Sequence, residues 1–165
     1  MSERRHPNVI NIDEIKPNTR EKGRHKITAR TLGPHAGNAQ LGATLTEIPP
    51  GAISYPQHYH CANEESIYVI SGRGTARIGE ARVPVRAGDW IAYPVGPEHA
   101  HQMINDGDEP LVYLALSTVT KCEVVGYPDS KKVGAMGGAY ASPWIRTLTR
   151  TGESLDYWDG EPEAK

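Results

Sequence analysis

The stretch HYHCANEESIYVISG, residues 58–72, decides how the rest of the chain is read. On a strand, residues two apart face the same way. His58 and His60 can therefore reach one point, while Tyr59 turns away. Glu65 opens the next strand. Ile67 and Val69 share its face and would pack beneath it, and Glu64 faces the other side. A carboxylate at the mouth of an apolar strand needs a partner, because burying it unpaired is very costly. Two imidazoles and a carboxylate aimed at one point describe a metal site.

A second stretch, HAHQMIN at residues 99–105, supplies the missing ligand. By the same parity His99 and His101 share a face, and either completes the set. Three neutral imidazoles and one carboxylate suit a divalent transition metal such as Zn, Fe, Mn or Ni. They suit calcium or magnesium poorly, since those ions take mostly oxygen. Four protein ligands on an octahedral ion leave two positions open, and an open position separates a working metal from a structural one.

Outward from these stretches the chain reads as strands and turns. Leu41, Ala43 and Leu45 alternate with Gly42, Thr44 and Thr46, a period of two that predicts a strand over 41–48. Pro49-Pro50-Gly51 turns the chain. Further strands are expected at 53–60, 64–70, 75–78, 81–86, 90–93, 100–104, 111–119 and 123–127. The 134–138 run, GAMGG, reads as a flexible loop, and 144–148 as a strand or a short turn of helix. At least eight strands with no helical period between them predict an all-β barrel or two-sheet jelly roll, which covers its edges by closing. The expected division is an N-terminal arm over 1–35, the barrel over 36–128 and a C-terminal extension over 129–165 that packs on it. Val9, Ile10, Ile12 and Ile15 could add a strand to a neighbour's sheet, so a homodimer is expected. His6, His25 and His35 each lack a second ligand at metal spacing and are expected in solvent.

Composition narrows the class. The 165 residues suit one domain with a real core. Seventeen Gly and thirteen Pro fit short strands joined by many turns. With formal charge -2 and no block of Lys or Arg, no nucleic-acid partner is expected. The start, MSERRHPNVI, lacks the apolar run of a signal peptide, and no span has the length to cross a membrane. A cytoplasmic protein without a membrane partner is the expectation. Cys61 and Cys122 are too few for a disulfide scaffold and read as free thiols.

These motifs resemble those of the cupins. The first cupin motif stands here as Gly51, His58-x-His60, Glu65 and Gly72, with four residues between His60 and Glu65 and six between Glu65 and Gly72. Six residues part Gly51 from His58, one more than the usual spacing. The second motif stands as Gly88, Pro94-Val95-Gly96, His101 and Asn105. Counting back from Asn105 selects His101 over His99, with a two-residue insertion in the loop. The resemblance implies a cupin double-stranded β-helix that binds metal through His58, His60, Glu65 and His101.

The resemblance extends to small bacterial cupins described as sugar-phosphate isomerases. It implies a metal-dependent enzyme acting on a small oxygenated molecule. His99 is then the candidate catalytic base, with Tyr55, Tyr93 and Gln102 as weaker candidates at the rim. Arg82 and Arg86 fall on the face opposite Val83 and Val85. The pattern therefore favours a neutral or carboxylated substrate over a phosphate. Two alternatives stand beside this reading: an Fe-dependent dioxygenase, and a non-catalytic module that binds a small ligand.

Overall fold

The computed structural model describes residues 5–139, 142–152 and 154–163. The chain is built from strands joined by turns and four short 3-10 helices among the described residues. A hairpin, β1 (Asn18–Lys22) and β2 (His25–Thr31), leads into β3 (Leu41–Ile48). Then follow β4 (Tyr59–His60), β5 (Glu65–Ser71), β6 (Arg73–Ile78), β7 (Ala81–Arg86), β8 (Trp90–Tyr93), β9 (His101–Ile104), β10 (Leu111–Thr118) and β11 (Cys122–Tyr127). A last hairpin, β12 (Lys132–Ala139) and β13 (Ser142–Arg150), closes the list. No helix among the described residues is long and apolar enough to cross a membrane.

Two sheets face each other. One has the order β1-β2-β3-β10-β5-β8. The other runs β7-β6-β9, crosses to β4 through the His58–His101 bridge, and continues β11-β12-β13. The inner face of the first sheet follows from register. Tyr113 lies opposite both Thr46 and Val69, and Leu111 opposite Ile48. Tyr113, Val69, Leu111 and Ile48, with Ile27, Ile67, Tyr93 and Met103, form one buried core, and Thr46 is buried beside Tyr113. The alternation in β3 marks a strand, but its buried members are Thr46 and Ile48, and Leu41 is exposed.

Several expected elements differ. The strand expected over 53–60 contracts to Tyr59–His60, because Pro56 has no N–H to pair. Its approach is held by isolated bridges of Ile53 to Ile104 and of His58 to His101, by the Ser54 N–H on the Met103 carbonyl, and by side chains. Gln57 donates to the carbonyls of Gly79 and Ala100, the Met103 N–H donates to Ser54 Oγ, and Gln102 donates to the carbonyl of Tyr55. The polar run 18–31 is a hairpin whose β2 pairs with β3. His25 is not in solvent: its Nδ1 meets the carbonyl of Ser54 in a part-buried contact. Ile12, expected to extend a strand, sits in a 3-10 turn over Ile12–Glu14 closed by an Asn11 capping box.

The GAMGG run is a strand, not a loop. Pairing with β11 on one side and β13 on the other satisfies its backbone, which outweighs the poor strand propensity of glycine. A bulge between Gly137 and Gly138 absorbs the irregularity. Arg77 ties the turn before β12 to the barrel with a two-pronged bond to Asp129, at 2.7 and 3.0 Å. In the extension expected to pack on the barrel, Tyr157 and Trp158 pack edge-to-face on each other at 4.8 Å and stay exposed.

Two motif residues act through the backbone. Gly72 has φ +82°, and a Cβ there would lie 2.4 Å from the Pro110 carbonyl oxygen. Asn105 is fully buried. Its amide donates to the carbonyls of Ile48 and Glu109, and its Oδ1 accepts from the Gly107 N–H. Asn105→Ala would strip all three groups of their partner. We expect it to lower the unfolding free energy by about 2–4 kcal/mol, read from the urea midpoint. A loss below about 0.5 kcal/mol would contradict this role for Asn105.

Candidate metal centre

Strand β4 lies between two neighbours, and both bring groups to the same place. His58 exchanges backbone hydrogen bonds with His101 of β9, at 3.2 and 2.8 Å. His60 pairs with Val125 of β11. Across the barrel, β5 begins at Glu65. One ligand atom from each of His58, His60, Glu65 and His101 lies within 4.8 Å of the other three. The Glu65 carboxylate is 3.4 Å from His60 Nε2 and 3.8 Å from His101 Nε2.

The ring orientations are set by the backbone. His58 Nδ1 donates to the carbonyl of Pro56 at 2.9 Å, and His101 Nδ1 donates to the carbonyl of His99 at 3.0 Å. A ring that donates from Nδ1 presents a bare Nε2 lone pair. His101 is also stacked on Tyr93, with ring centroids 3.8 Å apart and 10° between planes. Tyr93, expected at the rim, is buried with its hydroxyl toward Met103 Sδ.

These residues fit a metal ion. His60 Nδ1 and Nε2 and His101 Nε2 are buried nitrogens with no hydrogen-bond partner. Orphaned buried polar atoms are costly, and a cation bound among them would remove that cost. Side-chain exposures of 17 % for His60 and 19 % for Glu65 leave the group reachable from solvent.

The same packing tunes the charges. Burial, together with repulsion from His101, holds His58 down at about 4. Burial alone would raise Glu65, yet the facing His101 and His60 rings pull it far below the usual carboxylate range. Burial opposes a charge on His60, but the Glu65 and Glu123 carboxylates outweigh it and raise that imidazole. Burial and the Glu123 charge raise the Cys61 thiol, which disfavours its thiolate. Both cysteines are free, as expected.

His99 stands apart from the four. It ends a 3-10 turn over Pro97–His99, so strand parity does not carry from His101 back to it. Its Nε2 lies 3.7 Å from the Glu98 carboxylate, and its contribution to the cluster is the carbonyl that orients His101. The turn fills the two extra loop residues. Gln102 is buried on the far face, bonded to Tyr55. Arg82 and Arg86 are exposed, as parity predicts.

Two neighbours of the centre have no sequence motif. Tyr127 stacks near His58, with centroids 6.1 Å apart, and Lys132 Nζ stands 5.3 Å from the Tyr127 ring. Glu123 is buried beside His60. The alternation of β11 could have marked them, since Glu123, Val125 and Tyr127 share one face.

Comparison with known proteins agrees with this architecture. The cupin domain model Cupin_2 matches residues 44–117, and the chain belongs to the cupin superfamily. It is similar to the polyketide synthase CurC of Streptomyces cyaneus, 27% identical over 142 residues that span 85% of this chain and 88% of that one. Among solved structures, a provisional sugar phosphate isomerase from Acidithiobacillus ferrooxidans superposes with TM-score 0.79 at 26% identity, over 91% of this chain and 96% of the other. A cupin-superfamily sugar phosphate isomerase from Silicibacter pomeroyi gives 0.76 at 26% identity, over 90% and 97%.

The charge pattern predicts how the metal-free protein responds to acid. The unfolded chain protonates His58 near 6.5, while the folded protein resists until about 4. Its stabilising share is present above 6.5 and is lost as pH falls toward 4. Glu65, also depressed, adds a loss below its ordinary value of 4.5. His60 has the opposite sign: its share is present below 6.5 and fades as pH rises through its raised folded value. The urea midpoint of metal-free protein should therefore fall between pH 6.5 and 4, and His58→Asn should flatten that fall. A flat wild-type profile would contradict the buried, neutral His58.

Proposed function

We propose that this cupin is a metal-dependent enzyme acting on a small oxygenated molecule, with His58, His60, Glu65 and His101 holding one divalent transition metal. The observation that carries the reading is the set of buried imidazole nitrogens without partners, turned to one carboxylate. A metal bound there would act as a Lewis acid on carbonyl and hydroxyl oxygens, the chemistry that aldose–ketose isomerisation needs.

The chain's own residues define the rest of the proposal. Pro56 and His99 carbonyls keep Nε2 of His58 and His101 free for the centre. Tyr93 and the core beneath it shut water out from below, so substrate enters from the exposed side of His60 and Glu65. Tyr127 offers a ring and a hydroxyl beside His58, and Lys132 brings a cation to that ring. A substrate carrying an anionic group fits this side of the site. We assign His99, outside the donor set, to the substrate side of the loop. The two isomerase-named structures, alike over nine-tenths of the chain, support a sugar or sugar phosphate.

The likeness to CurC carries a second reading, action on a polyketide. The two substrate classes share a carbonyl with an acidic proton beside it.

The site assignment is tested by elemental analysis of purified protein. Wild type and His99→Ala should each hold near one equivalent of transition metal. The His58→Ala, His60→Ala double variant should hold under about a tenth of that. Loss of metal from His99→Ala with retention by His101→Ala would reverse the fourth ligand. The reaction class is tested by incubating metal-loaded protein with aldose and ketose phosphates in D₂O. Deuterium entering the carbon beside the carbonyl, seen by NMR, supports isomerase chemistry. No exchange on any sugar, with exchange on a polyketide-like β-diketone faster than in a protein-free control, would support the second reading.

A further inference from the structure

We propose that Glu123 is a positioning residue for the metal centre, orienting His60 from behind and fixing the loop that spaces His60 from Glu65. The inference rests on the reading of the four-residue cluster as a metal site. Glu123 is only 4 % exposed, and a buried carboxylate persists only where its charge is answered. Its Oε1 accepts the N–H groups of Cys61 and Ala62 at 3.0 and 3.2 Å, and its Oε2 accepts that of Asn63 at 2.8 Å. Those three residues form most of the link between the two proposed ligands His60 and Glu65.

The remaining direction of the carboxylate faces His60. Glu123 Oε2 is 3.7 Å from His60 Nδ1, within ion-pair reach though longer than a hydrogen bond. His60 Nδ1 has no hydrogen-bond partner, and His60 Nε2 already faces Glu65. His58 and His101 each spend Nδ1 on a backbone carbonyl. His60 is the ring of the three that meets a carboxylate there. An imidazole whose Nδ1–H faces a carboxylate is held in the tautomer that presents Nε2, and its basicity as a ligand rises. Strand β11 delivers this group because Val125 pairs with His60, which sets Glu123 two residues further along the same face.

The test compares Glu123→Gln and Glu123→Ala with Asn63→Ala. Asn63→Ala removes another of the loop's ties, the bond from the Thr120 N–H to Asn63 Oδ1, and leaves the Glu123–His60 contact in place. Zinc affinity is measured by competition with a chromophoric chelator, on protein shown by circular dichroism to be folded. Both Glu123 variants should bind zinc about 10- to 100-fold more weakly, and Asn63→Ala should stay within about threefold of wild type. Equal losses in all three would reduce Glu123 to a loop anchor and overturn the proposal. So would wild-type affinity in a folded Glu123→Ala.

Nitrogen-15 NMR of the His60 ring in wild type supplies a readout that needs no variant. At alkaline pH, with and without zinc, the proton should sit on Nδ1. A proton on Nε2 in the metal-free protein, or a bare Nδ1 in the zinc form, would overturn the proposal even where the variants fail to fold. Should wild type bind no zinc, the metal reading fails by itself. The tautomer of the metal-free ring then decides for or against Glu123.

Discussion

The constraint on which the structure depends is the placement of three imidazoles and one carboxylate inside an apolar barrel. Each of these groups would be more stable in water. Each is tolerated because something fixed answers it. Backbone carbonyls take the Nδ1 protons of His58 and His101. Glu65 stands between His60 and His101. What stays unanswered is a set of lone pairs facing one another, and a cation is the group that satisfies them all.

The topology serves that placement. Strand β4 has only two residues, yet it joins β9 to β11 and so sets His58 and His60 between His101 and the face carrying Glu123 and Tyr127. The approach to β4 keeps only scattered backbone bonds to β9, and the buried amides of Gln57 and Gln102 reinforce them. Asn105 and Gly72 hold the turns that link β9 to β10 and β5 to β6. The glycines and amides of the motifs are thus the means by which four side chains meet.

Much of this was legible from residues alone. The period of two in β3 and β5 marks strands because side-chain direction alternates whatever the partner. The parity of His58 with His60, and of Glu65 with Ile67 and Val69, survives folding for the same reason. Parity misleads at His99, where a 3-10 turn replaces the strand and rotates the ring out of line. Pairing on both sides makes the glycine-rich 134–138 run a strand, which propensity could not foresee. The alternation of β11 puts Glu123 on the face of Val125 and Tyr127, but its role was hidden for a plainer reason. Its partners are backbone N–H groups about sixty residues away, and a backbone N–H leaves no mark in the sequence. His25 likewise bonds a carbonyl from the far side of β3.

The central claim concerns the donors around one ion, and X-ray absorption at the metal edge of zinc-loaded protein tests it most directly. The account predicts a first shell of nitrogen and oxygen at about 2.0–2.2 Å, with the outer-shell scattering of three imidazoles. A sulfur neighbour at about 2.3 Å would place the ion on Cys61 instead, and a shell without imidazole would place it outside the barrel. Either result would contradict a centre built from His58, His60, Glu65 and His101.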